Sequence, residues 1–356
     1  MTRTYTAIGL MSGTSLDGID AALIETDGRN TVRTLDAISM PYTDADRARI
    51  RAAFGKTDRT SPDVQVAEAL STDLHIAAVK ALIARTGQTP DLIGYHGQTT
   101  YHAPADGITI QLGNGPRMAG ELGIDVVYDF RAQDVKSGGQ GAPFMPLYHQ
   151  VLARTARLPE PVCLLNIGGV SNITWIEGEQ VIACDTGPGN ALIDDWMLKN
   201  TGERMDQDGH TALSGKPDIA RIQQWLAHPF FAAPAPKSLD RDAWAHIDIS
   251  DLSLEDGAAT LAMFTAQAVN RAIAQMPARP QQVIAIGGGR HNETIMRALG
   301  NGQRVINADV LGWRGDYIEA EGFGYLAARS VLGLPLSLPT TTGVRTPMQG
   351  GKLAKA

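Results

Sequence analysis

Residues 8–20 read Ile-Gly-Leu-Met-Ser-Gly-Thr-Ser-Leu-Asp-Gly-Ile-Asp, and the fold prediction starts from this stretch. An apolar run ends at Met11, a short polar turn follows, and a second apolar run begins at Ile19. This order predicts a strand, a tight turn and a returning strand. Glycine permits positive φ values in such a turn, and its consecutive N–H groups form a concavity suited to phosphate. An ordinary hairpin turn without a ligand is the alternative, and the stretch alone leaves both open.

Length and composition indicate a protein with a large core. The chain has 356 residues, which suggests two domains, and it is 43% hydrophobic and 19% charged. Its net charge of −7 argues against general nucleic-acid binding, although a local basic groove stays open. The sequence shows no signal-peptide pattern and no apolar run long enough for a membrane helix. We therefore expect a cytoplasmic enzyme without a nucleic-acid or membrane partner.

Strands and helices alternate after the first hairpin. A third strand is predicted over 31–39, a helix capped by Thr43 over 43–54, and a longer helix over 61–87. The apolar face predicted for that longer helix consists of Val66, Leu70, Leu74, Ala77, Ala81 and Ala84. A short strand over 91–95 leads into a polar loop over 96–104. Strands over 108–112 and 125–128 follow, with a helix between them, and the glycine-rich residues 137–143 are the predicted crossover between domains.

The second half of the chain begins like the first. A strand over 161–167, a turn at Gly168 and Gly169, and returning strands over 173–176 and 180–184 repeat the opening pattern. A loop over 202–215, helices over 216–226, 254–275 and 292–299, and a closing helix over 316–332 are predicted next. The class is therefore α/β, and two such halves predict a ligand-binding cleft.

The glycine-rich turns exclude some nucleotide-binding motifs and favour others. The turn after Gly13 has the glycine spacing of a P-loop, but Ile19 and Asp20 stand where Lys and Ser or Thr are required. A Rossmann motif is excluded because the turn returns as a strand rather than opening a helix. The run 287–289 lies between a strand predicted over 282–286 and the helix predicted over 292–299, which suits a nucleotide site or a plain tight turn.

Several polar residues follow predicted strands. Asp185 suits a general base at a strand end, or a cap for the next helix. Arg131 and Asp134 suit a surface ion pair, or a site in which Arg131 holds an anionic group. His96 and His102 have no carboxylate at metal-site spacing, so hydrogen bonding is favoured over metal ligation. The two cysteines, at 163 and 184, fall in predicted strands and are expected to be buried thiols.

A set of motifs spans nearly the whole chain and is similar to the anhydro-N-acetylmuramic acid kinase family. The motifs are GLMSGTSLDGID at 9–20, GYHGQT at 94–99, QLGNG at 111–115, DFR at 129–131, GGQGAP at 138–143, LNIGGVSNIT at 165–174, DTGPGN at 185–190, GGG at 287–289, and Glu319. The combination is far more specific than any single motif.

The resemblance implies two ribonuclease H-like (actin-like ATPase) domains that flank an ATP cleft. The expected domains are 1–132, joined by about 335–356, and 133–334. The first phosphate loop would comprise Gly13, Thr14, Ser15, Leu16, Asp17, Gly18, Ile19 and Asp20. The second would lie over 166–174 with Gly168 and Gly169, and Gly287, Gly288 and Gly289 would form the adenosine loop. Asn166 stands where related kinases often carry an aspartate, which leaves Asp17 or Asp20 to act on Mg²⁺ through water.

The implied reaction opens the 1,6-anhydro ring of the sugar with water while O6 receives the γ-phosphoryl group of ATP. Asp185 matches the family's catalytic base, and Glu319 matches an active-site glutamate that would orient the water. The substrate-binding residues implied by the motifs are His96, Gln98, Thr99, Arg131 and Asp134. The chain departs from the family pattern at Lys136, Glu321, Gly322 and Gly324, which puts local packing in question.

Other functions stay open at the level of sequence. One is a kinase for an ordinary sugar with a free 6-hydroxyl, and another is a non-catalytic switch or sugar sensor on an actin-like fold. The oligomeric state is also open, with a homodimer as one alternative.

Overall fold

A computed structural model of the chain describes residues 3–239, 241–244 and 246–356. They form two compact units. The first unit consists of the residues up to Arg157 together with Tyr317–Ala356, and the second is Leu158–Asp316. Both transitions lie away from the expected boundaries at 132 and 335. Residues 137–143 stay with the first unit because they contact its C-terminal residues: the Gln140 amide donates to the Thr342 carbonyl at 2.6 Å.

The strands of the described residues divide between two sheets. They are β1 Tyr5–Ser12, β2 Gly18–Thr26, β3 Val32–Pro41, β4 Leu92–Ala103, β5 Ile108–Leu112, β6 Asp125–Tyr128, β7 Val162–Ile167, β8 Val170–Glu177, β9 Gln180–Pro188, β10 Gln282–Ile286, β11 Val305–Asn307 and β12 Lys352–Ala354.

The helices pack on these sheets and connect the strands. They are α1 Asp44–Arg51, α2 Pro62–Thr86, α3 Gly115–Leu122, α4 Ala132–Lys136, α5 Pro146–Thr155, α6 Ala191–Thr201, α7 His210–Ser214, α8 Ile219–Leu226, α9 Leu254–Ala274, α10 Glu293–Gly300, α11 Ile318–Val331 and α12 Pro339–Thr342. None of the helices in the described ranges is long and apolar enough to cross a membrane.

The two sheets repeat one topology. In the first unit the order is β12-β6-β4-β1-β2-β3, with β5 paired to β4. In the second unit the order is β11-β10-β7-β8-β9. In each, a three-stranded antiparallel meander places its first strand parallel to a later strand, β4 or β10. This confirms the predicted repetition and the α/β class, and it is the ribonuclease H-like arrangement.

The opening hairpin forms as predicted. β1 and β2 pair in antiparallel register from Tyr5 opposite Thr26 to Met11 opposite Asp20. Helix α1 also begins as predicted, because the Thr43 side chain accepts the Asp46 amide while the Asp46 side chain binds the Thr43 amide. The longer helix α2 ends before Gly87, whose φ of 67° suits a glycine C-cap.

The predicted apolar face of α2 is correct in part: Leu70 and Leu74 pack partly buried against the core, whereas Val66, Ala81 and Ala84 are exposed. Val66 is 52% exposed, and the buried side is formed instead by Val64, Ala67, Ser71, Thr72, His75, Ile76, Ala78, Val79 and Leu82. Polar residues belong to this buried side because their side chains bind main-chain carbonyls, as Thr72 binds Glu68 and His75 binds Ser71. Apolar periodicity therefore could not identify it.

Three loop predictions also need correction. Residues 96–103 continue β4 rather than forming a loop, because they pair with β5 after Gly97 turns with a φ of 78°. Strand β9 extends to Pro188, so Asp185 lies within the strand rather than at its end. Residues 202–215 contain the short helix α7.

Candidate active site

The turn between β1 and β2 is held from its buried side. The Leu16 amide donates to the Gly13 carbonyl at 3.2 Å, and Leu16 has a φ of 60° with its side chain fully buried. Arg47 Nε donates to the Leu16 carbonyl at 2.8 Å, and the Tyr42 amide donates to the Asp17 carbonyl at 3.0 Å. The side chains of Thr14, Ser15 and Asp17 remain exposed. The turn is thus fixed in shape and presents hydroxyl and carboxylate groups to solvent.

Gln98 connects strand β4 to this turn. Its side chain is fully buried, and its Oε1 accepts a hydrogen bond from the Ser12 hydroxyl at 2.7 Å. Its Nε2 donates to the Gly13 carbonyl at 3.1 Å. The Ser12 hydroxyl also lies 2.9 Å from the Tyr42 hydroxyl. Gln98 therefore braces the candidate phosphate loop, which the sequence had not indicated.

The buried His96 pairs with the half-buried Arg131. Arg131 Nε donates to His96 Nε2 at 2.9 Å, so the imidazole is neutral with its proton on Nδ1. Burial, and then the charge of Arg131, hold the pKa of His96 well below its usual value. Arg131 also donates to the Gly141 carbonyl at 2.6 Å, and the His96 ring packs 4.5 Å from the Phe323 ring. These contacts fix the direction of the guanidinium.

Asp134 serves the loop beside Arg131. Its Oδ1 accepts the Gly141 amide at 2.7 Å, and its Oδ2 accepts the hydroxyls of Ser337 at 2.5 Å and Thr342 at 2.6 Å. Asp134 is 1% exposed. Because three donors engage the two carboxylate oxygens, Asp134 connects the glycine segment that holds Arg131 to the C-terminal residues.

The other predicted residues of the first unit lie on β4 and α11. The Thr99 hydroxyl accepts from Gln111 Nε2 at 3.1 Å. Glu319 occupies the first turn of α11 and is half-buried, whereas Glu321 is buried and accepts the Tyr148 hydroxyl at 2.8 Å. His102 Nδ1 lies 2.9 Å from the Thr109 hydroxyl.

The unusual glycines of α11 have steric reasons. A Cβ on Gly324 would lie 3.2 Å from the Gly9 amide nitrogen, and one on Gly322 would clash with the Met145 side chain. Glycine therefore lets α11 lie directly on β1 and beside α5. Together with the Tyr148 partner of Glu321, this accounts for three of the four departures from the family pattern.

In the second unit, the turn between β7 and β8 is bound to the residues after β9. The amides of Asn190 and Gly189 donate to the carbonyls of Gly168 at 2.7 Å and Gly169 at 2.9 Å. A Cβ on Gly189 would collide with the Gly168 carbonyl, so glycine is required for this approach. The structure thus brings the second predicted phosphate loop against the segment that carries Asp185.

Asp185 is 6% exposed, and hydrogen bonds hold both its main chain and its side chain. Its amide donates to the Lys237 carbonyl at 2.9 Å, and its Oδ2 accepts the Leu239 amide at 2.7 Å. It lies opposite Asn172 in the β8–β9 pair, next to an irregularity in the register. A carboxylate with a fixed direction beside a glycine-rich turn suits a general base.

The run of glycines after β10 packs against the second turn. Gly287 has a φ of 74°, and a Cβ there would collide with Asn166 Oδ1 and lie 2.9 Å from the Ile167 carbonyl oxygen. A Cβ on Gly289 would lie 3.0 Å from Asn190 Nδ2, whereas one on Gly288 would meet open space. One side of the loop is therefore close-packed against the second turn, and the other side exposes main-chain atoms without side chains.

Arg290 holds this loop and was not indicated by the sequence. It is 5% exposed; its guanidinium donates to the Gly287 carbonyl at 3.0 Å and to both carboxylate oxygens of Asp316. It also donates to Asp309 at 3.2 Å. A charged residue directly after a glycine run was the available signal, but its acidic partners are 19 and 26 residues away.

Within the part of the chain that the structure describes, no group of three or more His, Cys, Asp or Glu side chains could hold a metal ion. Mg²⁺ in phosphoryl-transfer sites is commonly held by one or two carboxylates, water and the substrate phosphates, so this finding is compatible with Mg²⁺. The exposed Asp17 and the neighbouring Asp20, which accepts the Ser39 hydroxyl at 2.5 Å, fit that chemistry.

Cys163 and Cys184 are buried free thiols, as predicted, and burial raises the pKa of Cys184 to about 12.

Comparison with known proteins gives consistent matches along the whole chain. A family model described as anhydro-N-acetylmuramic acid kinase matches residues 5–356. A protein of that name from Nitrobacter winogradskyi is 47% identical, covering 98% of this chain and 99% of its own length. Another from Rhodospirillum rubrum is 49% identical, covering 97% of this chain and 93% of its own. A third, from Rhizorhabdus wittichii, is 49% identical with 97% of each chain covered.

Proposed function

The chain belongs to the anhydro-N-acetylmuramic acid kinase family, and from this premise we propose the reaction and the residues that perform it. The enzyme converts 1,6-anhydro-N-acetylmuramate, ATP and water into N-acetylmuramate 6-phosphate and ADP. This reaction belongs to the recycling of cell-wall sugars. Its use of ATP and its two unpaired cysteines support a cytoplasmic location.

The observation that carries the mechanism is the fixed carboxylate of Asp185. Asp185 takes a proton from the water that attacks C1 of the sugar. The bond between C1 and O6 breaks, and O6 attacks the γ-phosphorus while the bond to the β-phosphate oxygen breaks and ADP leaves. The proton on Asp185 passes to solvent after product release. The Leu239 amide supports this role because it sets the rotation of the carboxylate.

The glycine-rich turns supply main-chain N–H groups for the phosphates. Residues 13–20 and the turn at Gly168 and Gly169 are proposed to bind the phosphoryl groups, and residues 287–289 the adenosine. Phosphoryl transfer depends mainly on positioning and on charge neutralisation. Mg²⁺ would neutralise charge on the phosphates when bound, with Asp17 and Asp20 holding its water ligands.

The first unit is proposed to bind the sugar. Arg131 is a cation with a fixed direction, and the carboxylate of the lactyl ether on the sugar is its chemical complement. His96, as a neutral imidazole, holds Arg131 without adding charge. Gln98 sets the phosphate turn, Thr99 supplies a hydroxyl, and Asp134 supports the Arg131 loop. Glu319 is proposed to orient the attacking water.

The test couples ADP release to 1,6-anhydro-N-acetylmuramate, using the wild-type chain, Asp185→Asn, and the exposed control Asp195→Asn. We expect Asp185→Asn to lower kcat by about 10²- to 10⁴-fold or more while ATP still binds in calorimetry. Asp195→Asn should retain wild-type turnover. Unchanged turnover in Asp185→Asn would refute the assigned base.

Labelled water separates this reaction from that of an ordinary sugar kinase. Ring opening in ¹⁸O-water places the label at the anomeric hydroxyl of the product, after correction for anomeric exchange. An unlabelled product, or faster turnover of a sugar with a free 6-hydroxyl, would favour the ordinary kinase. Absence of ADP production with any such sugar would favour the sensor.

A further inference from the structure

The segment 229–239 contacts Asp185 although it is not part of the sheet that contains Asp185. The carbonyl of Lys237 accepts the Asp185 amide, and two residues later the Leu239 amide donates to Asp185 Oδ2. Residues 237–239 thus bind both the main-chain amide and the side-chain carboxylate of Asp185. A displacement of residues 237–239 would therefore disturb both hydrogen bonds.

The Lys237 side chain closes this segment on itself. Lys237 is 9% exposed, and its Nζ donates to the carbonyls of Phe230 and Ala233, each at 2.9 Å. The ammonium also lies 4.7 Å from the centroid of the Phe230 ring. A lysine has three N–H donors, and two of them bind carbonyls four and seven residues back. The ammonium thereby joins the two ends of the loop 230–237.

Helix α9 anchors the far end of the loop. Gln275 Nε2 donates to the Phe231 carbonyl at 2.7 Å, and the Phe231 ring packs 5.6 Å from the Phe264 ring and 5.2 Å from the Trp244 ring. The end at 230–231 is therefore fixed to the core. Lys237 connects that fixed end to the end that holds Asp185.

Burying the Lys237 ammonium costs desolvation free energy, which an apolar side chain would avoid. Burial lowers the pKa of Lys237, and the negative charge of Asp185 opposes that lowering. A methionine of similar length would avoid the desolvation but would leave both carbonyls without their donor. Only a side chain with hydrogen-bond donors can satisfy both carbonyls, and the ammonium of Lys237 does so.

We propose that Lys237 is a positioning residue for the general base: its ammonium fixes the segment 229–239, and that segment sets the direction of the Asp185 carboxylate. The proposal rests on the assignment of Asp185 as the base. It predicts an effect on the chemical step and none on substrate binding, because Lys237 acts through the carboxylate.

The test compares Lys237→Met, Lys237→Arg and the exposed control Lys216→Met in the ADP-release assay. Misplacement of a catalytic group by about 1 Å can cost 10²-fold, so we expect Lys237→Met to lower kcat by about 10- to 100-fold. KM for ATP and for the sugar should stay within about twofold of wild type. Lys237→Arg should recover most of the loss because a guanidinium can donate to both carbonyls. Lys216→Met should behave as wild type.

Hydrogen exchange gives a readout that does not depend on turnover. Lys237→Met should raise amide exchange in peptides spanning 229–239 and leave peptides of β7 and β8 unchanged. If Lys237→Met is insoluble, Lys237→Gln, which keeps one donor group, is measured in the same way and should show a smaller change in the same direction.

The outcomes separate the two proposals. A folded Lys237→Met with unchanged kcat or unchanged exchange over 229–239 overturns the positioning role, provided that Asp185→Asn is inactive. A parallel rise in KM for the sugar would also overturn it, since that result indicates a substrate contact. If Asp185→Asn is active, the base assignment has failed, whatever Lys237→Met shows.

Discussion

Replacing Gly94 by alanine should displace helix α11. Gly94 lies in β4 directly beneath this helix, and a Cβ there would lie 2.6 Å from the carbonyl carbon of Phe323 and closer still to its oxygen. Carbon atoms in contact need about 3.5–4.0 Å, so the helix has to move by roughly 1 Å. Main-chain atoms cannot escape by changing rotamer, and we expect the upper end of the cost of overpacking, about 3 kcal/mol.

Both stability and activity report this displacement. A loss of about 3 kcal/mol corresponds to a fall in Tm of roughly 6–12 °C for a unit of this size. The helix also carries Glu319, and its Phe323 ring supports His96 at 4.5 Å. We therefore expect kcat/KM for the sugar to fall by about 10- to 100-fold when measured well below the unfolding temperature.

Two other glycines provide a graded comparison. Gly120→Ala is the matched control, because Gly120 is exposed in α3 and a Cβ would meet nothing within 4 Å. It should be neutral or stabilising by about 0.5–1 kcal/mol. Gly324→Ala, with its nearest atom at 3.2 Å, should fall between the two. A Gly94→Ala variant with the Tm and activity of the control would refute the idea that close approach of main chains holds α11 in place.

Two further predictions concern buried charged and titratable groups. Arg290→Met should raise KM for ATP by about tenfold or more while KM for the sugar stays within about twofold, because the Gly287 carbonyl loses a charged donor. The exposed Arg297→Met serves as control, and an unchanged KM for ATP in the folded variant would contradict this role. Burial lowers the pKa of His75 to about 4 and that of His149 to about 3, so the unfolded chain binds more protons below pH 6.5. Unfolding free energy should therefore fall as pH drops from about 6.5 towards 4, and His75→Gln should reduce that slope by about 1 kcal/mol per pH unit in urea titrations; an unaltered slope would count against it.

The sequence predicted the elements whose signals are local. The hairpin of residues 5–26, the N-cap of α1 and the glycine C-cap of α2 depend on neighbouring residues, and they formed as expected. The expected cap at Ser61 did not form, because its side chain makes no capping hydrogen bond to α2. The repeated meander was recognisable for the same reason. Residues 96–103 were misassigned because their polar side chains hid a strand whose partner, β5, follows a turn.

The site residues also divide into those with local sequence signals and those whose contacts come from distant parts of the chain. Glycines at the three turns were recognisable from composition, but Lys237 was not, since its proposed role depends on contacts of its segment with Asp185, which lies 52 positions earlier in the chain. Gln98 and Asp134 were identified through the resemblance as substrate residues. Their contacts with Gly13 and Gly141 show what a motif cannot express, namely that they hold loops in shape.

The shared topology also explains how the two units come to offer different chemistry. In the first unit, Ser12 at the end of β1 pairs with Gln98, and the Gln98 amide fills the space beside the turn. In the second, Asn166 near the end of β7 pairs with Ile286, and the next residue is Gly287. A Cβ on Gly287 would collide with Asn166 Oδ1, so glycine is required there. The chain after β10 presents main chain, whereas β4 continues with imidazole, amide and hydroxyl groups. Under the proposed assignment, the same strand order thus yields the sugar-binding surface where the strand continues and the adenosine-binding surface where it stops.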